Sequence, residues 1–357
     1  GNVCRWLAEQ AEGMGVEVYP GFACSELVYG EDGSVKGVVA GVMGLGRDGK
    51  PKPEFEPGME LHGKYVFIAE GVRGSLAKIL INKFELDEGR EPQKFGLGMK
   101  ELWEVKPENH KQGQVTHTMG WPLGNKTGGG SFMYHLEDNM VSIGFVVHLN
   151  YENPHLYPYM EFQRFKHHPL IAEVLDGGRR VAYGARAITE GGWQSVPKLT
   201  FPGGALIGCS AGFLNVPRIK GTHNAMKSGM MAAEAAFAAI GEGRQADELT
   251  AYTELYENSW VEKDLKLVRN AKPLWSKLGI AGGLALGGLD MWTNQLFGFS
   301  LFGTMSHGKP DHAATKPASE CPEIDYPKPD GVLSFDRLTN VSFSATNHEE
   351  DQPVHLD

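Results

Sequence analysis

The chain has 357 residues, 41% hydrophobic and 22% charged, which suits two or three domains with a substantial core and excludes a disordered chain. A formal net charge of −10 argues against nucleic acid and favours a docked protein with a basic patch. The four cysteines, Cys4, Cys24, Cys209 and Cys321, lie far apart with no C-x-x-C pair, so the chain has neither metal spacing nor a disulfide framework, and reduced thiols are expected.

Gly1 to Gly15 reads as a helix, with Val3, Trp6, Leu7 and Ala11 on one face, and Val16 to Tyr19 as a short strand after a glycine stop. Together they form the second half of a βαβ unit, so residue 1 reads as lying inside a domain. Ser25–Tyr29 and Val35–Val42 are strands joined by an Asp-Gly turn at Asp32-Gly33. Arg47 to Gly58, with Pro51, Pro53 and Pro57, is expected to be an exposed loop. Lys64 to Gly71 is a buried strand ending in a small-residue turn, and Ser75 to Lys83 is the helix after it.

From Pro92 to Tyr151 aromatics and glycines alternate with short apolar runs, the pattern of an inserted antiparallel sheet. Met160–Leu175 is helical with a break near His168-Pro169, and Arg179–Ile188 leads back to the first unit. Asp247 to Ala271 reads as one charged amphipathic helix.

Between Lys277 and His307 the only charge is Asp290. A membrane span needs about 20 unbroken apolar residues, so this glycine-softened run is not one. It reads either as a buried helical hairpin or as a hairpin dipping into one leaflet, with Trp292 at the interface and Lys272 and Lys277 near the headgroups. The tail from Ser306 holds six of the 20 prolines and four basic against ten acidic residues, and is expected to be extended.

The chemistry concentrates in Leu199 to Ile240. A short strand, Ala205–Ile207, stops at Gly208, a loop of small residues follows, and Gly221-Thr222 opens a long helix. Unpaired N–H groups and the positive end of the helix dipole would favour negative charge on a flat, electron-rich ring there. No G-x-G-x-x-G occurs. Ser131 and Ser210 lack a neighbouring His and read as turn serines; His167-His168 reads as a surface pair rather than a metal site. Cys209 suits a structural small residue or a redox thiol equally, and Gly128-Gly129-Gly130 suits a flexible turn or a place where a flat ligand touches the backbone.

The run Phe201-Pro-Gly-Gly-Ala-Leu-Ile-Gly-Cys-Ser-Ala-Gly-Phe-Leu-Asn-Val-Pro-Arg-Ile-Lys-Gly-Thr-His-Asn-Ala-Met-Lys-Ser-Gly closely resembles the electron transfer flavoprotein–ubiquinone oxidoreductase family. So do Gly129-Gly130-Ser-Phe-Met-Tyr-His, Phe162-Gln-Arg-Phe-Lys-His-His-Pro, Tyr183-Gly-Ala-Arg-Ala, Tyr326-Pro-Lys-Pro-Asp-Gly and the tail Thr346-Asn-His-Glu-Glu-Asp-Gln-Pro-Val-His-Leu. Where the wider flavoprotein superfamily usually has an Asp after Gly208, this chain has Cys209-Ser210, as that family does.

The resemblance implies an α/β (α+β mixed) fold: a Rossmann-like FAD-binding domain of the glutathione-reductase type with an inserted antiparallel-sheet quinone-binding domain. The expected division is FAD-binding parts at residues 1–90 and 179–272, the quinone-binding insertion at 91–178, an apolar membrane-associating hairpin at 273–306, and an extended acidic segment at 307–357. The implied cofactors are FAD and a 4Fe-4S cluster, with the FAD glycine motif before Gly1 and the cluster ligands beyond Asp357. The implied partners are electron transfer flavoprotein, ubiquinone and a membrane surface, at the bacterial cytoplasmic membrane or the mitochondrial inner membrane.

Residue by residue, the resemblance places Gly208, Cys209 and Ser210 along the ribityl chain, and Gly221 and Thr222 at the flavin N1–C2=O edge. It places Ala69, Glu70 and Gly71 near the adenosine half, Val18 near the adenine, and Gly129 and Gly130 at the quinone head. No general acid for the quinone is evident, which leaves water as one proton source. Two alternatives stand beside this reading: another FAD enzyme of the superfamily, such as a prenyl reductase or flavin monooxygenase, and a non-enzymatic membrane-associated module.

Overall fold

The computed structural model describes residues 2 to 353, so the last residues of the Thr346 motif lie outside the described residues. Helix α1 (Asn2–Gly13) has no buried residue, and its apolar face, Trp6 included, is exposed. The strand expected at Val16–Tyr19 does not form, because it has no neighbour to take its N–H and C=O groups. Strands β1 (Cys24–Tyr29) and β2 (Val35–Ala40) form the expected hairpin, with the Asp32 carboxylate accepting from Ser34 N–H (3.1 Å) and Ser34 Oγ (2.7 Å). The stretch expected as a loop contains β4 (Pro51–Glu56), which pairs with β3 (Met43–Leu45) just before it. Pro51 and Pro53 are tolerated because β4 has a neighbour on one side only. Strand β5 (Met59–His62) extends the first sheet.

Strand β6 (Val66–Ile68) leads into α2 (Ser75–Lys83). Next come β7 (Phe95–Glu104), β8 (Val115–Thr118), β9 (Gly129–His135), β10 (Met140–His148), α3 (Pro158–Phe165), α4 (Pro169–Leu175) and β11 (Arg179–Thr189). The strands form one antiparallel sheet in the order β11-β7-β10-β9-β8. Strand β11, expected to lead out of the insertion, instead pairs along the whole of β7, from Arg179 opposite Glu104 to Thr189 opposite Phe95. Its odd and even positions match those of β7, so leaving the sheet would strip a ladder from an already patterned edge.

Strands β12 (Thr200–Phe201) and β13 (Gly204–Leu206) complete a small sheet in which β13 runs parallel to β6. Helix α5 (Thr222–Gly241) packs on it through Ala232, Ala235, Ala236 and Ala239, whose small side chains permit close approach. The single helix expected over 247–271 is two, α6 (Thr250–Glu257) and α7 (Trp260–Leu267). Ser259 breaks it by accepting from Val261 N–H (3.1 Å) and Glu262 N–H (3.4 Å) as an N-cap.

The apolar segment, α8 (Ala271–Phe297), is broken at Gly279 (φ +71°) into two helical arms, and the second folds back along the first. A Cβ on Gly283 would stand 2.6 Å from Trp275 Cα, and Asn294 Nδ2 donates to Leu267 O (3.3 Å), before an irregular return follows. Gly279, Gly283, Gly287 and Asp290 mark its buried side. Asp290 is buried and holds the return: its carboxylate accepts from Ser300 Oγ (2.7 Å), Leu301 N–H (2.8 Å) and Asn270 Nδ2 (3.0 Å).

The core face of the five-stranded sheet carries Met99, Trp103, Met133, Val141, Ile143, Phe145 and Val147 against α3 and α4. In its middle lies a fully buried ion pair, Lys166 Nζ to Glu101 at 2.9 Å, with Trp103 Nε1 also donating to that carboxylate at 2.8 Å. The tail docks on this pair through α9 (Arg337–Ser342). Asn340 donates to Glu101 (3.0 Å) and Tyr159 Oη (2.8 Å) and accepts from Arg180, whose guanidinium lies over Phe335 and Phe343. A second buried network closes one end of the sheet. Glu190 binds Lys272 Nζ (2.5 Å) and His148 Nε2 (3.2 Å), while His307 Nε2–H donates to Gly191 O (2.7 Å).

Two outcomes follow for stability. Lys166→Met leaves the Glu101 carboxylate buried without its cation and is expected to cost about 3–5 kcal/mol, much of it recovered in Glu101→Gln/Lys166→Met, as read by urea unfolding. Burial, with Lys272 adding repulsion, holds His148 well below the ordinary imidazole range, and burial lowers His307 too. In the unfolded chain each binds a proton as pH falls through about 6.5, while the folded state stays neutral. Stability is thus full above that pH and is lost below it, by up to about 1.4 kcal/mol per pH unit for each histidine. Glu190, raised by burial, offsets part of the loss as the carboxylate range is approached. Unfolding curves between about pH 7.5 and 5.5 check this, and His148→Gln should flatten the slope.

Candidate functional site

Strand β13 ends at Gly208, where the backbone turns into the left-handed region (φ +58°) and a Cβ would stand 3.2 Å from the Ala225 Cβ of α5. Gly208 N–H donates to Ser228 Oγ (2.9 Å), which pins the strand end to the helix. Ser210 Oγ accepts from Gly71 N–H (3.1 Å) and donates to Gly71 O (3.3 Å), so the turn after β6 and the turn after β13 are tied together. At the far end of the loop, a Cβ on Gly221 would stand 3.2 Å from Phe213 O and 3.7 Å from Cys209 Sγ. The residues expected in two separate stretches therefore meet. Gly221 is the N-cap of α5 and no side chain caps the first turn, so Thr222 begins a helix whose terminal N–H groups are left for something else.

Ile219 and Lys220, just before that helix, form one wall of a cavity of about 910 Å³. The other wall is the second face of the five-stranded sheet. Its register places Gly98, Gly130 and Gly184 on that face with Val146, Arg186, Lys100, Phe132 and Tyr134. Three glycines leave bare backbone where a flat ring can lie in contact. Ser344, Thr346 and His348 of the tail reach the rim. Lys100, Arg186 and Lys220 line the cavity and no carboxylate does among the described residues, so the site favours negative charge.

Gly130 lines this cavity, and Gly129 is buried behind it, where a Cβ would strike Val146 O and Leu123. The pair is thus part of a strand and not a free turn. Burial pushes the Cys209 thiol up, which keeps it protonated at neutral pH and favours the structural reading over a redox thiolate. Glu70 has a use the sequence did not show: its carboxylate accepts from Leu76 N–H (3.3 Å) and Ala77 N–H (2.7 Å) at the start of α2. Ala69 is exposed beside it, and Val18 is exposed in irregular chain. His168 caps α4 by accepting from Leu170 N–H (3.3 Å), and His167 contacts Ser334 Oγ (3.1 Å).

Sequence reading passed over Lys100, His117, Tyr134, Arg186 and Lys220. A signal existed: in Gly98/Lys100, Phe132/Tyr134 and Gly184/Arg186 residues of one face recur at a spacing of two, but which face is open depends on the helices.

The sequence profile described as "ETF-QO, ubiquinone-binding" matches residues 95–188, which span β7 through most of β11. The profile described as "Electron transfer flavoprotein-ubiquinone oxidoreductase, 4Fe-4S" matches residues 331–357, a stretch that holds no cysteine. The chain is 53% identical over its whole length to an electron transfer flavoprotein-ubiquinone oxidoreductase of Pseudomonas aeruginosa and covers 64% of that protein. It is 52% identical to the mitochondrial one of Homo sapiens and covers 58% of it. The chain therefore spans about three fifths of the length of these relatives.

Among solved structures, a geranylgeranyl bacteriochlorophyll reductase-like protein from Thermoplasma acidophilum aligns with a TM-score of 0.53 and 16% identity, over 82% of this chain and 71% of that one. A flavin-dependent brominase aligns with a TM-score of 0.53 and 15% identity, over 83% and 69%. Both show the fold, a mixed α/β architecture with an antiparallel sheet. Identity above one half across the whole of this chain and two matching profiles lead to one conclusion: this chain belongs to the electron transfer flavoprotein–ubiquinone oxidoreductase family.

Proposed function

We propose that the protein of which this chain is part accepts electrons from reduced electron transfer flavoprotein and passes them, through a 4Fe-4S cluster and FAD, to ubiquinone. The observation that carries this reading is the cavity between the α5 N-terminus and a glycine-floored sheet face, within the region that matches the ubiquinone-binding profile. The residues fit a flavin. The N-terminal turn of α5 is uncapped by any side chain, and the loop before it is closed by glycines at 208 and 221, where added side chains would crowd Ala225 and Phe213.

FAD would supply a carrier able to take and release electrons singly. Gly208, Cys209 and Ser210 would hold its ribityl chain, and Ala69, Glu70 and Gly71, tied to Ser210, would stand toward the adenosine, with Val18 near the adenine. Thr222 and the Gly221 backbone offer donors where reduction places negative charge, and Lys220 adds a cation on the same side. Gly130 presents backbone to the quinone head, with Gly129 behind it. The proposed division keeps residues 1–90 and 190–272 for the flavin, carries the insertion through the β11 ladder to Thr189, and has the tail as the lead into a cluster domain.

Among the described residues no helix is long and apolar enough to cross a membrane. Helix α8 nevertheless exposes Leu289, Trp292, Leu296 and Phe297, and Phe299 continues the patch. We place the protein on a membrane surface through this face, at the bacterial cytoplasmic membrane or the mitochondrial inner membrane.

The full-length protein should purify yellow and reduce a short-chain ubiquinone analogue when given reduced electron transfer flavoprotein. A colourless protein, or one whose flavin is bleached by reduced nicotinamide, would favour the other superfamily enzymes. Thr222→Ala should retain flavin and lower quinone-reduction kcat by about 10-fold or more, because one donor to developing charge is removed. Leu296→Glu with Phe299→Glu should release the protein from liposomes in a flotation assay without changing its flavin content. Unchanged flotation would count against the membrane face.

A further inference from the structure

The cavity lacks a carboxylic acid, yet reduction of a quinone to a quinol consumes two protons. Three side chains on its wall make a hydrogen-bonded line. Tyr134 Oη stands 3.2 Å from His117 Nε2 and 3.4 Å from Lys220 Nζ. All three line the cavity. Their burial is graded: His117 is exposed to solvent, whereas Tyr134 is half-buried and stacked on Phe132, with ring centroids 4.8 Å apart and an interplanar angle of 30°.

The register explains the alignment. His117 lies opposite Phe132 on the β8–β9 ladder, and Tyr134 is two positions further along β9, on the face that also carries Gly130. Lys220 reaches across from the loop before α5 and joins the sheet face to the residue next to Gly221-Thr222. Lys100 and Arg186 are the other charged groups of that face within the cavity, and both are cations.

We propose that Tyr134 is the proton donor to the quinone oxygen nearest it, with His117 reloading it from solvent and Lys220 positioning its hydroxyl. The inference rests on the quinone-reductase reading above. In the step, the Tyr134 O–H bond breaks and an O–H bond forms on the quinone oxygen, with both electrons coming from the reduced flavin of that reading. The tyrosinate takes the Nε2 proton of the His117 imidazolium, which leaves a neutral ring, and that ring regains a proton from bulk water. The second quinone oxygen takes its proton from water. The Lys220 ammonium donates to the phenolic oxygen and stabilises the charge that develops there during transfer.

The test uses the full-length protein with Tyr134→Phe, which keeps the ring and its stack on Phe132, and His117→Gln. Each is assayed with a ubiquinone analogue and with ferricyanide, an electron acceptor that takes no proton. Tyr134→Phe should lower quinone-reduction kcat by about 10²-fold and leave ferricyanide reduction, flavin content and quinone binding (measured by fluorescence quenching) within twofold. His117→Gln should fall less and recover on addition of imidazole to the buffer, and the wild-type solvent deuterium isotope effect should be large with quinone and near unity with ferricyanide. A Tyr134→Phe protein that reduces quinone at the wild-type rate overturns the proposal, as does equal loss with both acceptors. A wild type that reduces ferricyanide but no quinone overturns the function reading and this inference with it.

Discussion

A β-sheet has two faces related by a one-residue step, and the molecule depends on keeping them chemically opposite. On one face of the five-stranded sheet Val141, Ile143, Phe145 and Val147 stand with Met99, Trp103 and Met133, and Glu101 sits among them with its charge met by Lys166. On the other, Gly98, Gly130 and Gly184 leave the backbone bare and cations stand around it. A register slip of one residue in β7 or β10 would put glycine in the core and turn Trp103 or Phe145 to the cavity side. The ladders fix that register along nine pairs between β10 and β7, and a bulge at Arg180/Ala182 adjusts the edge strand.

The buried ion pair joins distant parts of the chain. Buried charge is expensive unless fully matched, and here Trp103, Lys166 and Asn340 together satisfy the Glu101 carboxylate. Because Asn340 comes from the tail, correct docking of residues 331 onward completes the solvation of a carboxylate more than two hundred residues earlier. Desolvation lowers Lys166 to about 8 even beside Glu101, which shows how little water reaches the pair. The same tail then runs on to the cavity rim at Ser344 and Thr346. Closure of the core face and roofing of the open face are thus performed by one segment.

At the other end of the sheet, Glu190, His148 and Lys272 connect β11, β10 and the start of α8. This junction sets where the apolar helix leaves the body. Asp290, the lone charge in the apolar segment, was read as an interruption of a hydrophobic run; in the fold it faces inward and holds the return loop. The exposed side of α8 is left uninterrupted as a result, which is the physical basis of the proposed membrane face.

Much of this was legible in the residues. Alternation marked β7, β9 and β10, glycine stops and the Asp-Gly pair marked the turns, and the run through Gly208 and Gly221-Thr222 marked a helix N-terminus suited to an anionic ring. These features are local, governed by side-chain period and backbone freedom within a few residues. What only the tertiary structure decided were relations across the chain. The segment 16–19 has strand composition but no neighbour, so it is not a strand; Ser259 caps, so one helix becomes two; Gly279 breaks α8, and Asn270 meets Asp290 across the break, so its two arms lie side by side. The open face of the sheet, and with it Tyr134, His117 and Lys220, could not be singled out by period alone. An alternating strand presents two candidate faces, and only the helices packed on one of them determine which is left for a ligand.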